Sequence, residues 1–319
     1  MTPPTPTQES DYPEIMQHHI LDFWQQRSEG FVEGCTQKNL YWISITSSTH
    51  NKAIVMVNGR VESAWKYQEL FYHFFKLGYD IYSFDHRGQG LSDRIAEDQQ
   101  IGHVRSFSHY VEDMATLVDY FKLEKYEKRY LLAHSMGGAI STRYLQVYPN
   151  HSFDKVVLSA PMFGVNMSPI LKPIAPYWAY INSLFSSKPK YLTKNREYQA
   201  KPFKVNPLTA SEVRYTWFRS LYEDMPQLKI GGPSAHWVWH ALTGAKTCIK
   251  NANQVTIPTL LMQAEYDIIV SNKAQLKFMT LLTKTNKASR LEIIKSSKHE
   301  ILFETDEIRN QALAAIYSF

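Results

Sequence analysis

Apolar runs of strand length alternate with helical patterns along most of this 319-residue chain, and that alternation admits few folds. Residues 53–57 (AIVMV) precede a loop and then an apolar stripe over 64–77, formed by Trp65, Leu70, Phe71, Phe74 and Phe75. Tyr79–Phe84 reads as the next strand. Phe107, Val111, Met114, Leu117, Val118 and Phe121 fall on one face of a helix. Residues 130–133 form a short strand leading into Ser135 and a helix to about Val147. Lys155–Ser159, 259–263 and 291–294 are again strand-like, and a last helix is predicted over Asp306–Tyr317. Strands separated by helices of this length predict an α/β fold with a mostly parallel central sheet flanked by helices.

The rhythm stops between Pro161 and about Ala245. Nine of the 15 prolines lie there, with Trp178, Trp217, Trp237 and Trp239, and residues 211–222 have helical character. Because the β/α order resumes afterwards, this stretch predicts an inserted helical cap. The expected division is a tail over 1–20, a core over 21–162, the cap over 163–248 and the rest of the core over 249–319.

Charge and termini exclude several classes. The net charge is +5, too small and too dispersed for a chain built around nucleic acid. The segment 161–245 carries ten Lys/Arg against four Asp/Glu, a local +6, so the remainder is −1. A basic insertion is compatible with an anionic membrane surface or a phosphate-bearing substrate, and equally with a solvated face. Met1–Asp11 lacks the charged and apolar regions of a secretory signal, and no apolar run spans a bilayer. Two cysteines, Cys35 and Cys248, fit a reducing compartment. The expected location is cytoplasmic, with peripheral contact at the inner membrane as an option.

Residues 133–138 read Ala-His-Ser-Met-Gly-Gly between a strand and a helix. At so sharp a turn a serine hydroxyl projects above the sheet, and the residues two before and two after it must be small. Ala133 and Gly137 meet that demand. The Met136 amide opens the following helix, where N–H groups lack partners and can stabilise developing negative charge. A second such donor is expected in the loop after 53–57, at the backbone amide of Arg60, with Asn58 and Gly59 shaping the loop. A serine needs a histidine to take its proton, and that histidine needs a carboxylate. His299 follows the strand 291–294 and Asp267 follows 259–263, both at the carboxyl end of the sheet, where sites of this fold class collect. Glu265 is a weaker candidate acid, His134 is read as structural, and His236 with His240 lack a third ligand for zinc. No metal or cofactor is expected.

Asn58-Gly59, the run from Phe84 to Ser92 (FDHRGQGLS), Ala133–Gly138, Asp267 and His299-Glu300 together resemble the α/β-hydrolase superfamily. Within it they are most similar to the group of bacterial lysophospholipase L2 and monoacylglycerol lipases (serine aminopeptidase S33-like), over roughly 40–165 and 250–319. The resemblance implies Ser135 as nucleophile, Asp267 as orienting acid, His299 as base, Met136 and Arg60 as oxyanion donors, and a buttressing role for the loop that begins at Asp85. Members commonly carry His-Gly where this chain has Asn58-Gly59. The implied activity is hydrolysis of fatty-acyl esters, with lysophospholipid as first substrate. Monoacylglycerol lipase or general carboxylesterase activity, acyl transfer, an aminopeptidase and a non-catalytic binding protein on the same fold stay open. The apolar stretch opening the insertion, with Trp178, Tyr180 and Phe185, is the expected acyl pocket.

Overall fold

The computed structural model describes residues 5–166, 177, 180–181, 188–192 and 197–319. Its strands are β1 (Ser28–Gly34), β2 (Lys38–Ile45), β3 (Lys52–Val57), β4 (Tyr79–Phe84), β5 (Lys128–His134), β6 (Lys155–Ser159), β7 (Thr259–Ala264) and β8 (Arg290–Ile294). They form one sheet in the order β1-β2-β4-β3-β5-β6-β7-β8. From β4 to β8 all neighbours are parallel, whereas β2 runs antiparallel to both β1 and β4. The six strands expected from the sequence are present, each within two residues of its expected bounds. The β1–β2 hairpin is additional. Its edge strand, SEGFVEG, is half exposed and carries two glycines and two glutamates, so it lacks the continuous apolar run of a buried strand.

The central strands are buried on both faces. Every residue of β7 is buried, as are Ala53–Val57 of β3. At about 1.5–3 kcal/mol per fully buried large apolar side chain, this layer dominates the stability of the scaffold. Among the covering helices are Gln68–Lys76, Phe107–Phe121, Ser135–Val147, Asn272–Thr285 and Asp306–Tyr317. The stripe over 64–77 is helical in two parts, a 3₁₀ turn Ala64–Tyr67 followed by Gln68–Lys76.

Two boundaries differ from expectation. The stretch expected as a tail is docked from Thr7 onward. Tyr12–Ile15, Met16–Ile20 and Leu21–Gln25 form one continuous helical segment, and Tyr12, Met16 and Ile20 bury an apolar face. The boundary expected at 248 falls inside the helix Ala235–Lys250, whose second half packs on the core. Cys248 is fully buried, its carbonyl accepts from Gln146 Nε2 at 2.9 Å, and Gly244 lies against the Phe107 ring.

A buried ionic cluster ties these parts together. Arg214, on the inserted helix Glu212–Asp224, holds Glu69 at 3.0 Å and Asp306 at 2.8 Å, and Arg309 holds the same Glu69. Thr7 donates its hydroxyl to Glu69, and the Glu9 amide donates to Asp306 at 2.7 Å. One carboxylate thus joins the N-terminal segment, the insertion and the last helix. Removing one charge leaves its partners buried without compensation, a loss of about 3–5 kcal/mol. Arg214→Met is therefore expected to lower stability by about 3–5 kcal/mol in urea unfolding. It should also speed proteolysis within residues 5–25, detected by mass spectrometry.

Candidate active site

Ser135 begins the helix Ser135–Val147 directly after β5, with φ of +50°. A non-glycine residue occupies this left-handed region only when its surroundings hold it there. The following turn supplies that constraint. A Cβ at Gly137 would lie 2.3 Å from the Asn58 carbonyl oxygen and 2.5 Å from that of Val57, so the first turn of the helix sits directly on the end of β3. On the other side, the Met162 amide donates to the Ser135 carbonyl at 2.9 Å.

The structure brings Ser135, Asp267 and His299 together from three separate connections. His299 Nε2 is 2.9 Å from Ser135 Oγ, and His299 Nδ1 is 2.7 Å from Asp267 Oδ2. Asp267 uses its other oxygen to accept the amides of Ile269 and Val270 at 2.8 and 2.9 Å. This leaves the carboxylate one orientation. With Nδ1–H donated to Asp267, the Nε2 lone pair faces the serine hydroxyl. Glu265 lies elsewhere, bonded to the Ser296 amide and Lys295.

The loop after β3 is held from several sides. Asn58 Nδ2 donates to the Phe84 carbonyl at 3.0 Å, and Gln89 Nε2 donates to the Gly59 carbonyl at 2.7 Å. Asp85 accepts the amides of Ala64 at 2.7 Å and Leu91 at 2.8 Å. Burial pushes the Asp85 carboxyl up to about 7, against the pull of those amides. The Asn58 side chain thus points into the scaffold. Gly59 and Arg60 border the same cavity as Ser135, and the Met136 amide is the next along the chain from the serine. His134 lies beside His299, with ring centres 4.9 Å apart, and burial pushes it down to about 4, so it is neutral near pH 7.

The cavity above Ser135 measures about 280 Å³. Its apolar wall includes Met162, Val165, Leu208, Phe218, Trp237 and Val270. Of the expected acyl-pocket residues, Trp178 and Phe185 lie outside the described residues. Tyr180 is not part of this wall: its ring rests on Trp239, with centres 4.9 Å apart, and is 41% exposed. Among the described residues no group of three or more His, Cys, Asp or Glu is arranged to hold a metal ion.

Sequence reasoning missed a buried charge cluster in the same wall. Lys66 Nζ lies 2.6 Å from Glu62 and 2.8 Å from Glu300. Burial alone would raise the Glu62 carboxyl, but Lys66, His134 and the Tyr67 hydroxyl hold it down at about 2. Burial pushes Glu300 above its ordinary value despite Lys66. The spacing of Glu62 and Lys66, four apart, was the available signal. Glu62 also accepts the Gly59 amide at 2.5 Å, which links this cluster to the loop at Arg60.

A family model described as serine aminopeptidase, S33, matches residues 48–306. Lysophospholipase L2 of Escherichia coli (strain K12) is 37% identical over 98% of this chain and 93% of its own length. A probable lysophospholipase L2 of Haemophilus influenzae is 34% identical over 94% of each chain. Among solved structures, a soluble variant of monoglyceride lipase from Saccharomyces cerevisiae superposes with a TM-score of 0.71 at 16% identity, covering 91% of this chain and 93% of that one. At that identity it speaks for the fold.

Lys66→Met is expected to cost about 3–5 kcal/mol at pH 8, read by urea unfolding, because two buried carboxylates lose their counter-charge. Without Lys66 their folded-state pKa values rise above the unfolded value of about 4.3. The folded variant then retains protons that the unfolded chain releases, so the deficit is full at high pH and shrinks as pH falls toward that value. A deficit independent of pH would show that Lys66 acts through packing alone.

Proposed function

Because the chain belongs to the serine aminopeptidase S33 family of α/β-hydrolases, we propose that it is a lysophospholipase, cleaving the fatty-acyl ester through an acyl-enzyme on Ser135. The hydrogen-bonded line from Ser135 through His299 to Asp267 carries the site assignment. Near full-length similarity to lysophospholipase L2 supports the substrate class.

In the first step Ser135 Oγ bonds to the acyl carbon as its proton passes to His299 Nε2. The carbonyl oxygen becomes an oxyanion held by the amides of Met136 and Arg60. Asp267 keeps the ring in one tautomer and stabilises the imidazolium while it lasts. The ester C–O bond then breaks, and Nε2 returns its proton to the departing glycerol oxygen. Water enters, gives a proton to Nε2 and attacks the acyl-enzyme; fatty acid leaves as Ser135 regains its proton. The apolar residues beside Ser135, including Met162, Val165 and Val270, receive the first part of the acyl chain. Leu208, Phe218, Arg219 and Tyr222 of the insertion form part of the wall over it.

An aminopeptidase would need an acidic group free to hold the substrate's terminal ammonium. Of the carboxylates in this wall, Glu62 is held by Lys66, Tyr67 and the Gly59 amide, and Glu300 meets Lys66 through one oxygen, so neither lacks a counter-charge for that ammonium to supply.

The proposed setting is cytoplasmic, with peripheral contact at an anionic leaflet. Unpaired Cys35 and Cys248 fit a reducing compartment, and no helix among the described residues is long and apolar enough to cross a membrane. Lys190, Lys201 and Lys204 are exposed on the insertion, the last beside Val205, which is 67% exposed. Such lysines add up to about 1 kcal/mol each near an anionic surface.

Ser135→Ala is expected to lower kcat on 1-palmitoyl-lysophosphatidylcholine by at least about 10³-fold with an unchanged melting temperature. Fluorophosphonate labelling of the parent, absent in the variant, reads the same residue directly; parental turnover by Ser135→Ala would rule the mechanism out. Raising salt roughly tenfold should reduce activity on anionic vesicles more than on a soluble short ester, since screening acts on the surface charges. Equal responses would remove the leaflet contact.

A further inference from the structure

Two guanidinium groups line the Ser135 cavity without a carboxylate partner. Arg60 follows Gly59 at the end of β3; its side chain donates from Nη2 to the Gly231 carbonyl at 2.8 Å and lies over the Trp237 ring at 4.8 Å. Arg219 projects from the inserted helix Glu212–Asp224, over the rings of Tyr215 and Phe218 at 5.0 and 4.9 Å, and donates from Nη1 to the Tyr198 hydroxyl at 3.3 Å. The Nε of each is buried with no hydrogen-bond partner among the described residues. No Asp or Glu pairs with either among the described residues, and the rest of the chain contains no Asp or Glu at all.

Arg94 and Arg290 likewise bond only carbonyl or hydroxyl oxygens, but neither borders this cavity, and the other deeply buried arginines are paired. Arg87 is paired with Asp113, and Arg214 and Arg309 share Glu69. The charged groups bordering the cavity are Arg60, Arg219, Lys66, Glu62 and Glu300, and both carboxylates are engaged by Lys66. Burial without a counter-charge lowers Arg60 from its ordinary value to about 10, so it is still a cation at neutral pH. Burial works against Arg219 too, but the Tyr198 hydroxyl and the neighbouring tyrosines hold it above its ordinary value. At Arg60 a ligand anion relieves the cost of burying the cation.

We propose that Arg60 and Arg219 form the head-group subsite of this enzyme, binding the phosphodiester of a lysophospholipid while its carboxyl ester lies at Ser135. The inference rests on the lipid-ester reading above and adds the residues that select a phosphodiester-bearing head group over a free glycerol. A guanidinium fork matches two phosphate oxygens, which a hydroxyl cannot replace. One fork comes from the core loop and the other from the insertion, so a bound phosphate would join the two parts across the cavity.

The test compares kcat/KM of the full chain on 1-palmitoyl-lysophosphatidylcholine and 1-palmitoylglycerol, each in neutral detergent micelles at equal surface fraction. In Arg60→Gln and Arg219→Gln the ratio of the two should fall roughly tenfold or more, through the phosphate-bearing substrate. Arg219→Lys should recover part of it. Arg60→Gln keeps its backbone amide, and the ratio cancels any loss common to both substrates. If Arg219→Gln does not fold, Arg60→Gln decides alone. An unchanged ratio, or an equal fall on both substrates, overturns the subsite. A second arm follows p-nitrophenyl butyrate turnover with glycerophosphocholine or inorganic phosphate as inhibitor. Inhibition by glycerophosphocholine that weakens in Arg60→Gln supports the subsite, and inhibition by inorganic phosphate alone overturns the head-group assignment. If the parent cleaves butyrate but neither lipid, the lipid reading has failed, and with it the subsite.

Discussion

The seating of one helical turn on the end of a strand is the constraint from which the rest follows. Gly137 presses against the carbonyls of Val57 and Asn58, and this close approach leaves Ser135 a left-handed conformation that a serine would not choose. Holding it costs on the order of 1–3 kcal/mol. The parallel register of Val57 with Ala133 and of Ala133 with Leu158 places that turn among buried strands that cannot slide without exposing the core. Because β7 and β8 run in the same direction, the loops after them open at the same end, and Asp267 and His299 reach the serine from there, His299 through a turn in which Ser296 takes a φ of +60°.

The interior uses buried charge in two ways. Around Glu69, and between Arg87 and Asp113, opposite charges meet at hydrogen-bond distance and add no unpaired charge to the interior. Beside Ser135 the pattern changes. Lys66 serves two carboxylates at once, burial keeps Glu300 above its ordinary value despite it, and Arg60 and Arg219 are left to aromatic rings and carbonyl or hydroxyl oxygens. Imperfect pairing of buried polar groups is a feature of sites built to receive something, because in a purely structural setting it would be removed at no loss.

The sequence carried the parallel core and the three side chains of the proposed triad for a physical reason. Buried parallel strands need continuous apolar runs, and a nucleophile turn needs small residues at fixed offsets, so both leave local marks. Asp267 and His299 were legible as polar residues just beyond such runs. What needs partners far apart in the chain left no local mark: Glu69 with Arg214 and Arg309, or Lys66 with Glu300. The basic excess of the insertion is only partly a surface feature: Lys190, Lys201 and Lys204 are exposed, but not all of its cations are. Counted along the chain it resembles a surface field, yet Arg214 is 1% exposed and Arg219 points into the cavity. The half-exposed strand β1 was invisible because a solvated edge does not need an apolar run.

These inward-facing arginines change how the insertion itself is understood. A lid resting loosely on a hydrolase core would contact it through apolar surface alone and could lift as a unit. Here Arg214 is held by Glu69 and Asp306 of the core, the Tyr222 hydroxyl donates to the Val61 carbonyl at 2.6 Å, and the Glu300 amide donates to the Leu208 carbonyl at 2.8 Å. Val61 lies next to Arg60, and Glu300 next to His299, so the insertion is bonded within one residue of both the proposed oxyanion loop and the proposed base. The described part of the insertion that carries Leu208, Phe218, Arg219 and Tyr222 is therefore a fixed wall of the site. Selectivity can then reside in its side chains, because their distance from Ser135 is set by hydrogen bonds and ion pairs rather than by a hinge.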